Sequence, residues 1–412
     1  MIAARLLVGD GDVSLMVLGL DDFKDLNDTR GHAAGDELLG VVAERLRACV
    51  RAGDVVARLG GDEFAVVVPD GARVARAVGE RVLASLATPA ELADGAVVSL
   101  RGSLGIATPA DRDERTLTAL LRNADLAMYL AKSQGKDRLV VYAEGMAEEA
   151  RRRTELQHDL AGAAEAGQLR VHYQPTVRLE DGEITGFEAL VRWQHPERGL
   201  VPPVEFVPLA EETGAIVAIG RWVLRQAVAQ GTAWSVSAGR PLEMSVNLSP
   251  RQMMDDDVPA LVREVLAETG FPAGQLTLEV TEGVLVHDVE RVVAQLHALR
   301  GLGIRIAIDD FGTGFSSLSY LRRLPADVLK IDRSFVVDLT DGGSSTSLVS
   351  SIIELARTLG LDVIAEGVET EEQRLALQDL QCLQAQGYLF ARPQPADSFG
   401  QSFSPAPVAQ TA

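Results

Sequence analysis

Apolar positions along this chain change rhythm part-way through. Over the first 143 residues, a run SLMVLGL (Ser14–Leu20) reads as a buried strand, and helical apolar spacing follows over 36–50. Two short apolar runs, 55–58 and 64–68, flank LGGDE and predict a hairpin with an acidic tip. Helical spacing over 73–86, a strand over 97–106, a helix over 117–131 and a strand over 139–142 complete the block. That order predicts an α/β unit with a mixed sheet, residues 1–143. Residues 144–166 are rich in Ala, Glu, Arg and Leu, which favours a linking helix, with Gly167 as its stop.

Farther on, short apolar runs each finish on a polar residue and give way to helical spacing: EMSVNLS, LTLEVTE, RIAIDDFG, VLKID, VIAEGVE and AQGYLF. Their terminal positions, Asn247, Glu279, Asp309, Lys330, Glu366 and Gln386, recur 20 to 36 residues apart, a spacing that suits βα units. In a (β/α)8 TIM-type barrel the C-terminal ends of the strands converge on one face, so residues scattered in sequence meet in one site. A barrel is therefore expected over 156–400. The Pro-, Ser- and Ala-containing tail, 401–412, has no periodicity and is expected to be disordered.

Composition narrows the function. The 412 residues include 59 Asp plus Glu against 39 Lys plus Arg, a net charge of −20, which argues against a general binder of nucleic-acid polymers or anionic membranes. A small phosphorylated ligand stays open where cations intervene. Cys49 and Cys382 support neither a disulfide framework nor a zinc site, which suits a reducing cytoplasm. Apolar runs fall short of the ~20 residues that span a bilayer, and Asp10 and Asp12 interrupt any secretion-signal core. A cytoplasmic location without a membrane span is expected.

On the barrel reading, Glu188, Asn247, Glu279, Asp309 and Asp310 surround one volume, with Glu366 and Lys330 beside them. So many carboxylates cannot all ionise without compensating cations. Oxygen ligands with no Cys and no evident His select Mg2+ or Mn2+, and two such ions bridged by Asp309 suit phosphodiester hydrolysis.

The sequence Glu188-Ala189-Leu190, followed by Val191 and Arg192, resembles the signature of EAL-domain cyclic-di-GMP phosphodiesterases. The likeness covers 156–399 and extends through YQP, NLS, EVTE, DDFGTGFSSL, KID, AEGVE and QGYLF. It implies that Glu188, Asn247, Glu279 and Asp309 hold one metal, with Asp309 and Asp310 serving a second. It also implies that Lys330 and Glu366 orient or deprotonate the attacking water, that Glu282 and Glu369 support the adjoining loop, and that Gln174, Arg192 and Gln386 contact substrate. The implied product is linear pGpG.

The hairpin tip Gly60-Gly61-Asp62-Glu63-Phe64 is similar to the signature of GGDEF-domain diguanylate cyclases, which have a palm-like fold. The resemblance makes Asp62 and Glu63 candidates for Mg2+, Asn27 and Asp36 for guanine, and Lys132 and Lys136 for a triphosphate. Two departures stand out: Gly19 falls where the family carries a metal-binding Asp, and the opening DxLTGLxNR segment is absent. Phosphoryl transfer depends on positioning and charge neutralisation, so a lost carboxylate implies severely weakened catalysis. Arg51 and Asp54 match the family's RxxD inhibitory site. The expectation is a phosphodiesterase regulated by GTP or cyclic-di-GMP at its first unit and acting as a homodimer. Alternatives are a bifunctional enzyme in which Asp21 or Asp22 replaces the missing ligand, and a receptor without turnover.

Overall fold

The structure, a computed structural model, describes residues 13–109, 116–281, 289–312, 324–340 and 344–400. The tail 401–412 and Glu282, for which expectations were stated above, lie outside them. Two compact units divide between Thr154 and Glu155.

In the first unit, β1 (Ser14–Leu20) is buried along its whole length. A strand covered on both faces loses the in-out alternation of an exposed sheet and reads as a continuous apolar run. Met16, Leu18 and Leu20 join one core, with α2 (His32–Cys49) and α3 (Ala72–Leu86) supplying Leu38, Val42, Val78 and Val82. Leu15 and Val17 join a second core with Leu120, Ala124 and Met128 of α4 (Leu117–Ser133). The sheet order is β2 (Val55–Gly60), β3 (Glu63–Val68), β1, β6 (Gly102–Ala107), β7 (Leu139–Val141). The β6–β7 pair is parallel and the others are antiparallel, so the sheet is mixed as expected.

Two local readings need correction. Helix α1 (Phe23–Arg30) escaped notice because it buries no residue, leaving little apolar periodicity to detect. The strand expected over 97–106 is split: Val97–Val98 (β5) pairs with Ala90–Glu91 (β4) in a separate ribbon, and only Gly102–Ala107 enters the main sheet. The expected linking helix is α5 (Met146–Leu160), shorter than 144–166, and Leu156 and Leu160 are buried in the core of the second unit. Turns then lead to Gly167, whose φ of 65° is the left-handed conformation glycine adopts readily.

The second unit is a closed eight-stranded barrel among the described residues: β8 (Leu169–Arg178), β9 (Ile184–His195), β11 (Glu243–Asn247), β12 (Leu276–Thr281), β13 (Arg305–Phe311), β14 (Val328–Ile331), β15 (Asp362–Ala365) and β16 (Gln384–Gln386), closing on β8. The short β10 (Gly199–Val201) pairs only with β9. Neighbours from β9 through β16 run parallel, whereas β8 is antiparallel to both β9 and β16. The first βα unit of a regular (β/α)8 barrel is thus replaced by a β-hairpin.

Candidate active site

Register brings the strand-end residues together. Asn247 pairs with Glu279, Thr281 with Asp309, and Gln174 with Glu188 across the hairpin. The β13–β14 register shifts between Ile308 and Phe311, and Asp310 adopts a left-handed φ of 52°. Consecutive strand residues ordinarily point to opposite faces. Through this irregularity, Asp309 and Asp310 join Glu366 in a trio whose nearest oxygens all lie within 4.8 Å of one another.

At the centre is Lys330, 1% exposed. Its Nζ lies 2.6 Å from Glu279, 2.6 Å from Glu366, 3.2 Å from Asp309 and 3.6 Å from Glu188. Burial opposes its charge, but the four carboxylates hold the ammonium protonated, far above the ordinary lysine range. Burial likewise opposes ionisation of Glu188, yet Lys330 and hydrogen bonds donated by Gln386 (2.6 Å) and Asn247 (2.7 Å) keep its carboxyl below the usual value. Gln386 also donates to Gln174 Oε1 at 2.9 Å, and Gln174 donates to the Ala391 carbonyl at 3.0 Å.

Glu279, Asp310 and Glu366 shift the other way. Burial, followed by the charges of Glu188, Asp309 and Glu366, drives Glu279 well upward despite Lys330. Burial and Asp309 raise Asp310, and burial pushes Glu366 up to about 8. An all-oxygen donor set crowded enough to resist its own ionisation is one that a hard divalent cation relieves, so the residues present fit Mg2+ or Mn2+.

Two cavities open beside this cluster. One of about 220 Å3 is lined by Gln174, Glu188, Asp309, Lys330, Glu366 and Gln386. The other, about 400 Å3, is bounded by Arg192, Asn247 and Glu279 and by apolar Val207, Ile219 and Val223; Leu190 lines both. Half-buried Arg192 has no ion-pair partner among the described residues, and burial lowers its pKa. Gly387 is required by contact, because a Cβ there would lie 2.1 Å from the Val368 carbonyl oxygen. The expected loop-support residue Glu369 pairs with Arg333 at 2.8 Å. Sequence reasoning missed Arg333 and Tyr388, which line the smaller cavity; Arg392 stacks over the Tyr388 ring at 4.2 Å. Their closeness to KID and QGYLF was the available signal.

The family model described as "EAL domain" matches residues 155–393. The chain belongs to the EAL domain family. A second model, "Diguanylate cyclase, GGDEF domain", matches residues 4–138, so the two domains stand in tandem. The chain is 42% identical over 94% of its length to the bifunctional diguanylate cyclase/cyclic di-GMP phosphodiesterase MucR of Pseudomonas aeruginosa, covering 56% of that protein. It is 38% identical over 93% of its length to the cyclic di-GMP phosphodiesterase NbdA of the same organism, covering 49%. The chain thus spans about half the length of these curated relatives. Its EAL unit is similar to the solved PaMucR phosphodiesterase in complex with c-di-GMP: TM-score 0.57, 45% identity, 60% of this chain and 99% of that one.

In the GGDEF unit, Lys136 pairs with Asp22 at 2.5 Å, while Lys132 lies 4.0 Å from Asp62. Asp36 is exposed, and Asn27 Oδ1 is buried without a hydrogen-bond partner among the described residues. At the expected inhibitory site, the Arg51 N–H groups reach Asp54 at 3.0 and 3.4 Å, and its guanidinium also pairs with Asp70. Among the described residues no helix is long and apolar enough to cross a membrane.

Proposed function

We propose that the EAL unit, residues 156–400, hydrolyses cyclic-di-GMP to linear pGpG, and that the GGDEF unit, residues 1–143, binds GTP or cyclic-di-GMP and regulates it through the 144–166 segment. The observation that carries this reading is the buried Lys330 among Glu188, Glu279, Asp309 and Glu366 at the floor of a cavity. The names of MucR, NbdA and the PaMucR complex support the choice of substrate.

Glu188, Asn247, Glu279, Asp309 and Asp310 would hold Mg2+ or Mn2+, which supplies charge neutralisation for the phosphodiester and makes a bound water more acidic. Lys330, a fixed cation, orients groups and does not accept a proton. Glu366 lines the cavity with a proton affinity near neutral pH, which suits a general base. Gln386 positions Glu188 and Gln174 through its two hydrogen bonds. Arg192, without an ion-pair partner among the described residues, offers a planar donor fork to a phosphate, and the apolar wall of the larger cavity suits a base.

The test is pGpG formation by the purified chain with cyclic-di-GMP and Mg2+ or Mn2+. Replacing Glu366 with Gln is expected to slow the reaction roughly 100- to 10,000-fold while ligand affinity stays within about threefold. Absence of pGpG with either metal, with and without GTP, would sink the assignment.

A further inference from the structure

Gly19 lies near the end of β1, paired with Glu63 on one side and Ser103 on the other. A Cβ at residue 19 would lie 2.7 Å from Lys132 Nζ, 2.9 Å from Lys132 Cε and 2.9 Å from Met128 Sδ. The ammonium therefore occupies the space that a side chain on residue 19 would need.

The surrounding charges are divided unevenly. Lys136 holds Asp22, and Asp21 accepts hydrogen bonds from the Ser103 hydroxyl (2.8 Å) and the Asp137 N–H (3.0 Å). Asp62, one-third exposed, is left facing Lys132 at 4.0 Å, with Lys132 itself one-third exposed. Gly60 and Gly61 have nothing among the described residues within 4 Å of where a Cβ would stand, which leaves the hairpin backbone open to a ligand there. Arg58 donates to the Gly61 carbonyl at 3.0 and 2.7 Å and holds that turn in place.

The donors that the hairpin brings beside residue 19 for a divalent ion are Asp62, which faces Lys132, and Glu63, which pairs with Gly19. Gly19 offers no side-chain oxygen, and the ion would meet a like charge at short range. We propose that Lys132 is the resident cation of this corner, and that the GGDEF unit binds the triphosphate of a guanine nucleotide without needing a divalent metal. The inference rests on the reading above that this unit binds GTP. A lysine ammonium is a compact point charge able to neutralise phosphate, but it has no open coordination positions with which to activate a hydroxyl. The site therefore retains a nucleotide without transferring its phosphoryl group.

Calorimetric titration of GTP into the full chain, in EDTA and in Mg2+, tests this. The native chain is expected to show dissociation constants within about threefold of each other in the two conditions. Lys132→Gln weakens binding at least tenfold in EDTA, and Lys132→Arg restores most of it. Gly19→Asp displaces only the flexible ends of Lys132 and Met128 and is expected to bind at least tenfold more tightly with Mg2+ than without. Unchanged melting temperatures keep these comparisons free of folding effects. Native-chain binding that vanishes in EDTA and returns with Mg2+ overturns the proposal while leaving the GTP reading intact. No binding in either condition overturns both.

Discussion

Lys330 of the EAL unit and Lys132 of the GGDEF unit both face carboxylates, but in opposite settings. Lys330 is 1% exposed and reaches four acids, two of them at 2.6 Å, whereas Lys132 is one-third exposed and faces Asp62 at 4.0 Å. Where water is excluded, each opposite charge counts for more, and the ammonium becomes part of the scaffold. Where water reaches the group, the same chemistry remains available to a ligand. One lysine thus organises an acidic cluster, and the other stands in a gap left by glycine.

The largest effect that would break this contrast comes from Lys330→Met. Removing the cation leaves Glu188 and Glu279 buried without it, and a loss of about 3–5 kcal/mol is expected in the urea transition of the EAL unit, with hydrolysis abolished. A variant that melts normally and still hydrolyses cyclic-di-GMP would show the cluster to be independent of its lysine. A smaller effect sharpens the picture of how the acids are positioned. Gln386→Leu removes the hydrogen bonds to Glu188 and Gln174, with an expected cost of about 1–3 kcal/mol and a slower turnover, read by denaturation and by pGpG formation. Native turnover in this variant would contradict the positioning role.

The smallest effect belongs to the GGDEF unit. There Arg45 donates to the carbonyls of Ser85, Leu86, Thr88 and Pro89, capping the end of α3 and the turn beyond it. Arg45→Met is expected to cost about 1–2 kcal/mol in that unit's unfolding transition while leaving the EAL transition in place. Loss of both transitions together would mean that the two units do not melt separately.

Strand ends were readable where apolar runs were long and bounded by polar residues. β1 and β12 are buried along nearly all their length, and burial is what periodicity records. Helix α1 has no fully buried residue, only half-buried Phe23 and Leu26 against the core, and left no such record. The antiparallel course of β8 was also hidden, because a strand's composition carries no mark of its direction. In the site, Asn247, Glu279, Asp309, Lys330, Glu366 and Gln386 announce themselves as polar ends of apolar runs and Glu188 by the Glu-Ala-Leu signature within β9, whereas Arg333 and Tyr388 enter the cavity from the segments that follow those ends.

From the sequence alone came the tandem order of the two domains, the barrel, the acidic strand ends and the glycine at position 19. Each is written in residue type and spacing, which local propensity and the need to bury apolar surface translate directly into elements. The sequence placed Asp309, Asp310 and Glu366 around one volume, but tertiary structure alone supplied the means, because the shifted register and the left-handed backbone at Asp310 override strand alternation. It also decided where each of the two lysines stands. Lys330 becomes a buried centre by the closure of the barrel, and Lys132 fills the space beside Gly19 because α4 packs against β1. Such placements depend on contacts between residues far apart in the chain, whose distances no local pattern encodes.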